Sequence, residues 1–444
     1  MTDRLYGLVE RELRRRGGGE AELYLRHARV RRFESRDGGI DSIQRSESVS
    51  LSLRVFRNGR MGFSFGFGDG EETVRRMVEA ALFGADASDP DDAHRLPAGP
   101  VPSGSLPLCD PEAGRAEDRA LADFACDLEA RTLAVDSRMK RVRSAVLRET
   151  VAEERFFRSD GRRGERRESS VVATVDAVAE EGAEAQSGYG FGFARSLAVL
   201  SAEAVGAEAA SRALRMLGAR PLRSGRIPAV LEAGATADLL EVLAPSFLAS
   251  HVAKGKSMLA GKRGARIAAE TVTIADDPLD PDGSAAAEFD GEGIASRRNL
   301  LVDRGVLAGY LADTFWGTKT GTGTTGSGRR ASAKVPPAPG VSNLRLLPGE
   351  FPPGALLREL GRGVLLTEFL GIHTADPVSG DFSVGAAGIR FERGEPAEPV
   401  RGFAVSGNVL TLLADAVGVG SDFRWFGSTG APSLAVSGVE IGGE

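Results

Sequence analysis

One stretch near the N-terminus restricts the fold of the first half more than any other. In residues 48–56, Val49, Leu51, Leu53 and Val55 alternate with serine and arginine. Successive side chains of a strand point to opposite faces of its sheet, so this alternation predicts an antiparallel strand with one buried face. The Asn58-Gly59 pair that follows favours a type I′ turn and therefore a β-hairpin.

The first 221 residues also contain segments whose apolar side chains have the spacing of a helix. Apolar side chains recur at helical intervals in four segments, and further strands are predicted between them. The predicted helices cover residues 3–17, 71–83, 116–135 and 202–217, and the further strands cover residues 21–33, 141–149 and 169–178. The pattern predicts an α+β fold in which residues 1–221 form a domain of helices packed on an antiparallel sheet.

The sequence changes character near residue 222. From Gly225 onward, short apolar runs are separated by glycine turns, and helical spacing returns only over residues 237–252 and 353–360. Closely spaced short strands with glycine turns are typical of sandwiches and barrels. Residues 222–444 are therefore predicted to form a second, mostly antiparallel and barrel-like β domain.

Charge and cysteine usage exclude several classes of protein. The formal net charge is -6 and no basic face is apparent, which argues against a nucleic-acid-binding protein. Two cysteines cannot form a disulfide framework in 444 residues, and no apolar run is long enough to span a membrane. With no signal-peptide pattern, a cytoplasmic protein without a membrane partner is expected.

Two glycine motifs match known patterns only in part. Residues 62–66 fit G-x-S-x-G, but a nucleophile elbow needs a turn from a strand directly into a helix, and Gly68-Asp69-Gly70 intervenes here. Residues 321–326 fit G-x-G-x-x-G but lack the strand before and the helix after that a dinucleotide site requires. Ser64 is expected in a strand or a loop rather than on such an elbow, and residues 321–326 are expected to form a mobile or substrate-facing loop.

Groups suited to metal binding or acid/base chemistry are few. The four histidines are far apart and share no local motif, so no metal site is predicted from spacing. The densest polar run is residues 367–383, in which Glu368, His373 and Asp381 can act as acids or bases. A hydrated loop between strands is the competing interpretation of the same run.

Several motifs, in order along the chain, resemble the TldD/PmbA family and in particular its PmbA branch, also called TldE. They include the run from Ser379 to Gly388, similar to the family's G-D-[YF]-S-x-G-A-x-G signature. The others are Phe289-Asp290-Gly291-Glu292-Gly293, Val405-Ser406-Gly407-Asn408 and Val419-Gly420-Ser421-Asp422. Because the motifs are spread over much of the chain, the resemblance is more specific than any single glycine pattern.

The resemblance implies a subunit that pairs with a TldD-like, metal-bearing subunit to form a metallopeptidase acting on unfolded peptides. In the family, the TldD-type subunit carries an H-E-x-x-x-H helix, whereas residues 241–246 here read Glu-Val-Leu-Ala-Pro-Ser. The chain is therefore expected to hold no metal or other cofactor, and zinc is expected in the partner. Pro245 is expected to kink or end the helix. The resemblance also gives candidates for the substrate cleft: Gly321, Gly323, Gly326, Glu368, His373, Asp381, Ser383 and Gly385.

Two other functions remain open at this stage. The chain can be a non-catalytic peptide-binding or regulatory protein that acts without a peptidase and self-associates, in the simplest case as a homodimer. It can also be an independent hydrolase that uses Glu368, His373 and Asp381.

Overall fold

A computed structural model describes residues 2–102, 104 and 106–443. Its N-terminal half has one six-stranded sheet and four α-helices, which form where apolar periodicity predicts them. The strands are β1 (Glu20–Arg36), β2 (Gly39–Arg57), β3 (Arg60–Phe67), β4 (Met139–Arg158), β5 (Arg163–Glu181) and β6 (Glu184–Ala194). The helices are α1 (Thr2–Arg15), α2 (Glu71–Ala87), α3 (Asp118–Ala134) and α4 (Ala202–Leu214).

The strands of this sheet are antiparallel and lie in the order β3-β2-β1-β4-β5-β6. Residues 48–56 lie in β2, with Leu51, Leu53 and Val55 fully buried, as predicted. The expectation of only one buried face is wrong, because Ser52 and Arg54 are buried too, against Arg330 and Glu292 of the C-terminal half. Asn58 and Gly59 have φ angles of 52° and 69°, the left-handed conformation that a type I′ hairpin turn requires. Helices α1 and α2 cover one end of the sheet, and α3 and α4 cover the other.

The serine of the G-x-S-x-G motif lies within β3, as expected, rather than on a nucleophile elbow. Ser64 is buried, and its hydroxyl donates to the carbonyl of Met77 in α2 at 2.7 Å. The hydroxyl thus joins the strand to the helix that packs on it and is not presented to a substrate.

The C-terminal half consists mainly of short strands. They are β7 (Gly225–Leu231), β8 (Ile274–Asp276), β9 (Asn299–Asp303), β10 (Val306–Leu307), β11 (Gly328–Arg329), β12 (Ala338–Pro339), β13 (Leu344–Leu346), β14 (Arg362–Leu370), β15 (Asp381–Glu392), β16 (Glu395–Asn408), β17 (Ala416–Val419), β18 (Arg424–Phe426), β19 (Thr429–Ala431) and β20 (Leu434–Gly442). The helices are α5 (Ala233–Leu243), α6 (Ala249–Ala253), α7 (Thr314–Lys319), α8 (Ala355–Leu360) and α9 (Val409–Ala414).

Five of these strands close into a barrel. Their order is β16-β15-β14-β7-β20, and β20 pairs back to β16. A second sheet, β10-β9-β8-β13-β19-β18, shares one large apolar core with the barrel and α5. The predicted α+β fold and barrel-like second half are confirmed. No helix in the described ranges is both long enough and apolar enough to cross a membrane.

A buried ionic network joins the two halves. Arg54 of β2 is bonded to Glu22 of β1 and, at 2.9 Å, to Glu292 from the C-terminal half. In return, Arg330 of the C-terminal half is bonded to Glu22 and, at 2.9 Å, to the hydroxyl of Ser52. Each half contributes an arginine that binds a carboxylate of the other half, so ion pairs from both sides stabilise the interface. Removing one member would leave a buried charge unpaired, which is costly.

Candidate functional site

A cavity of about 830 Å³ lies between the two halves of the chain. Strand β6 and the end of α4 form one wall, and α5, β14 and the neighbouring barrel strands form the other. Its apolar lining consists mainly of Phe191, Met216, Phe369, Leu370 and Phe426. Pockets of this size, apolar with a few polar groups, are the usual form of ligand sites, so this cavity is the candidate site.

Helix α5 is held in place at its first residue. The backbone N–H of Glu232 donates to the carbonyl of Leu366 in β14 at 2.9 Å. The Glu232 carboxylate also accepts two hydrogen bonds from the guanidinium of Arg215, at 2.6 and 2.7 Å. This bidentate pair ties the start of α5 to the end of α4 beside the cavity, which Arg215 lines.

Helix α5 is shorter than its apolar periodicity predicts. A single helix over residues 237–252 is wrong, because α5 ends at Leu243 and the chain continues as a 3-10 turn, Ala244–Phe247, before α6. The break occurs at Pro245, whose ring and missing N–H prevent a regular helix from continuing. The expected effect of Pro245 is confirmed.

Three carboxylates project into the cavity without a partner. Asp238 and Glu241 lie almost one turn apart on α5, and Glu368 lies on β14 across from them. None of the three forms a hydrogen bond or ion pair with another described residue. Burial, followed by the negative charges of Glu241 and Glu368, raises the pKa of Asp238 to about 7, against the opposing charge of Arg212. Asp238 can therefore gain or lose a proton near neutral pH.

The arginines at this wall already have partners. Arg212, which lines the cavity, donates to the carbonyl of Tyr189 at 3.1 Å, and Arg424, outside the lining, donates to that of Phe191 at 3.0 Å. Both carbonyls belong to the outer edge of β6, so the arginines cap an edge that would otherwise be open to another strand. The unpaired charge in the cavity is therefore negative, which favours ligands with a cationic group.

Glu241 and Ser246, the two positions that the resemblance sets against the family's histidines, have different surroundings. Glu241 faces the cavity, whereas Ser246 is fully buried and donates to the carbonyl of Pro377 at 3.3 Å. Within residues 2–102, 104 and 106–443, no group of three or more His, Cys, Asp or Glu side chains has the geometry to hold a metal ion. A buried serine does not supply the imidazole that such zinc sites use.

The glycine-rich loop lies outside the lining of this cavity. It follows α7; Gly321 and Gly323 are exposed, and Gly326 is packed against the carbonyl of Ala295. The end of the loop is held by the buried Asp290, whose carboxylate accepts a hydrogen bond from the N–H of Gly328 at 2.8 Å. Burial and the charge of Glu292 raise the pKa of Asp290 above its usual range. The Phe289–Gly293 motif thus anchors the end of the loop.

The polar run 367–383 is divided between two places. Only its first part, Thr367 to Leu370, lines the cavity. His373 is exposed in a 3-10 turn, and Asp381 begins β15, where hydrogen bonds from Asn408 and Ser379 lower its pKa. No hydrogen bond joins any two of Glu368, His373 and Asp381 in the described structure.

The two remaining candidates follow on β15. Ser383 is exposed and lies opposite Ser406 of β16, while Gly385 faces Leu370 of β14. Gly385 precedes Ala386 and Ala387, which line the cavity. A role for Ser383 or Gly385 in the cleft stays a prediction.

Sequence reasoning missed Asp238. The available signal was an aspartate and a glutamate three residues apart in a helix whose other side chains are almost all apolar. Side chains at that spacing share a helix face, so the pair indicates a polar site within an otherwise buried element.

Three sequence profiles of one family match the chain. They are PmbA/TldA metallopeptidase domain 1 over residues 21–85, the central domain over residues 112–217 and the C-terminal domain over residues 224–443. A metalloprotease of Methanothermobacter thermautotrophicus is 31% identical over 398 residues, which cover 88% of this chain and 85% of that protein. Metalloprotease PmbA of Escherichia coli O157:H7 is 25% identical over 416 residues, covering 92% and 89% of the two chains. The crystal structure of TldE from Thermococcus kodakarensis superposes with a TM-score of 0.90 at 23% identity over 99% of each chain, which shows a shared fold.

Proposed function

Because the chain belongs to the PmbA/TldD family of metallopeptidases, we propose that it is a PmbA/TldE-type subunit that holds no metal itself. It completes a metallopeptidase whose zinc is bound by a TldD-type partner, and the assembly processes or degrades unfolded peptides in the cytoplasm. The observation that supports this proposal is the segment 241–246, which runs from the last turn of α5 into the following 3-10 turn and has Glu241 and the buried Ser246 where the resemblance leads us to expect two histidines.

The cavity supports a role in binding the peptide. Its apolar lining can accept side chains of an unfolded segment, which a folded protein would keep buried. Its carboxylates on α5 and β14 attract lysine, arginine or a free amino terminus. The chain then contributes to substrate binding while the partner supplies the metal-bound water.

Metal analysis and peptide cleavage, measured together, test this proposal. The isolated chain, the TldD-type subunit and the co-purified assembly are compared for zinc content and for cleavage of an unfolded peptide. We expect substoichiometric zinc and no cleavage for the isolated chain, and zinc with cleavage for the assembly. Stoichiometric zinc and cleavage by the isolated chain would refute the proposal.

Substitutions in the cavity separate substrate binding from assembly. Glu241→Gln together with Glu368→Gln is expected to raise KM of the assembly for a lysine-rich peptide and to leave kcat and co-elution unchanged. Glu270→Gln is the matched control, because Glu270 is exposed and bonded to Arg304 away from the cavity. If the chain binds peptide but never co-elutes with a TldD-type subunit, the regulatory alternative replaces the proposal.

A further inference from the structure

One stretch of the C-terminal half carries positive charge with no negative charge beside it in the sequence. No aspartate or glutamate occurs between Glu241 and Glu270, although the chain has 62 acidic residues in 444. The same stretch holds three of the six lysines of the chain and two arginines, all within a basic loop of residues 254–266: Lys254, Lys256, Lys262, Arg263 and Arg266. Charges of one sign that lie close together create a local potential, here opposite to the net charge of -6.

The backbone of the basic loop is fixed by the core beneath it. Residues 254–256 and 260–266 are exposed, whereas residues 257–259 between them are buried. The carbonyl of the buried Leu259 accepts a hydrogen bond from the hydroxyl of Tyr310 at 2.6 Å. The cations therefore project from a rigid support, and a partner can bind them without first ordering the loop.

No carboxylate neutralises these cations. None of the five forms an ion pair with a described residue. The guanidinium of Arg263 donates to the carbonyl of Ala308 at 3.2 Å, and that of Arg266 donates to the carbonyl of Arg304 at 3.1 Å. The nearby Glu270 is bonded to Arg304 instead. Both guanidinium groups are thus oriented by neutral carbonyls and keep their full charge.

The first two lysines of the loop show the same surplus of positive charge. Burial and then the charges of Lys254 and Lys256 lower the pKa of His251, and no described carboxylate opposes this shift. The ammonium group of Lys254 lies 5.1 Å from the ring centre of Trp316 in α7. An aromatic face attracts a cation but does not neutralise it. The loop therefore presents charge that an anionic partner would neutralise.

We propose that the basic loop binds an acidic segment of a polypeptide. Lysine is a point charge on a flexible stem, so three lysines can reach carboxylates at several spacings and require no fixed sequence. A nucleic acid would extend beyond a loop of this length and meet a surface whose net charge is negative. A lipid surface is also disfavoured, because no large apolar side chain of the loop is exposed to enter it.

Fluorescence anisotropy with the full chain tests the proposal. The probes are a labelled flexible peptide of glutamate, glycine and serine, and the same peptide with glutamine in place of every glutamate. We expect the acidic peptide to bind with a dissociation constant in the micromolar range and the glutamine peptide not to bind. Added salt should weaken binding, because it screens exposed charges.

Neutralising the three lysines should weaken this binding. Lys254→Gln, Lys256→Gln and Lys262→Gln together should raise the dissociation constant about tenfold or more, since one exposed ion pair contributes roughly two- to fivefold. Arginine at the same three positions keeps the charge and should leave the dissociation constant within about twofold of the wild type. Circular dichroism should show unchanged folding for both variants, because the side chains are exposed.

A matched control separates the loop from the charge of the whole chain. Arg11→Gln, Arg14→Gln and Lys140→Gln together remove the same number of positive charges at exposed positions of α1 and β4. None of these three side chains forms an ion pair with a described residue. This variant should bind the acidic peptide as the wild type does.

Four results would overturn the proposal. The first two are equal binding of the acidic and glutamine peptides, and full binding of the acidic peptide by the triple glutamine variant of the loop. Tighter binding of a labelled oligothymidylate would assign the loop to a nucleic acid, and tighter binding to phosphatidylserine vesicles would assign it to a lipid surface. The inference does not depend on the proposed function, because binding is measured on this chain alone and requires neither zinc nor cleavage.

Discussion

Replacing Asp238 by asparagine should stabilise the protein, and the gain should grow with pH. The Asp238 carboxyl is mostly buried beside Glu241 and Glu368, and its pKa is raised from 3.8 to about 7. A raised pKa means that the native state holds the proton between these two values while the unfolded chain has released it. Stability contributed by the protonated group is therefore lost as pH rises from about 4 to 7. An asparagine side chain does not ionise in this range, so the variant is free of this loss.

The size of the effect follows from the same shift. A difference of about 3 units at 1.36 kcal/mol per unit gives about 4 kcal/mol as an upper limit. Water reaches part of the carboxyl, which makes the real effect smaller than this limit. We expect the free energy of unfolding of the variant, relative to the wild type, to rise by about 2 to 4 kcal/mol between pH 4 and pH 8. Urea unfolding followed by circular dichroism at both pH values measures it.

Asp176→Asn is the matched control for this prediction. Asp176 lines the same cavity but is bonded to Arg143 at 3.5 Å, so its replacement removes an attraction rather than a repulsion. Asp176→Asn should show no gain in the free energy of unfolding over the wild type that grows with pH. Equal stability of Asp238→Asn and the wild type at pH 8 would refute the reasoning, because it would mean that burial and the neighbouring carboxylates do not raise the pKa of Asp238.

Further predictions concern the interface and the packing of the first half. Arg54→Met should destabilise the chain by about 3 to 5 kcal/mol in urea unfolding, because Glu292 then stays buried without a guanidinium and Glu22 keeps only Arg330. Adding Glu292→Gln should restore part of that stability. Gly62→Ala should cost about 1 to 3 kcal/mol or more, since its new methyl carbon would lie 1.7 Å from a carbonyl oxygen of α2. Gly7→Ala, with nothing within 4 Å of the new methyl carbon, should instead raise the free energy of unfolding by about 0.5 to 1 kcal/mol through helix propensity, measured as a higher thermal midpoint.

The sequence predicts those features whose causes are local. The alternation in β2 and the Asn58-Gly59 turn depend on neighbouring residues alone, and both appear as expected. The helical spacing of residues 71–83 likewise corresponds to α2, with its apolar stripe buried against the sheet. The predicted helix over residues 237–252 is wrong because apolar periodicity does not register the effect of Pro245 on the backbone.

The candidate site depends on contacts that are distant in sequence. Asp238 and Glu368 meet because β7 and β14 pair in parallel, a pairing that no local pattern specifies. Conversely, Glu368 and Asp381 are close in sequence, but the end of β14 and the following turn separate them. Their proximity in the chain predicts a shared acid/base site of Glu368, His373 and Asp381, whereas the tertiary fold places Glu368 beside residues of α5.

The buried ion pairs between the halves restrict how the cavity can admit a ligand. Arg54 and Arg330 each bond a carboxylate of the other half, so rotating the halves apart would leave buried charges without partners, which is costly. We therefore expect a ligand to reach the cavity without separation of the two halves.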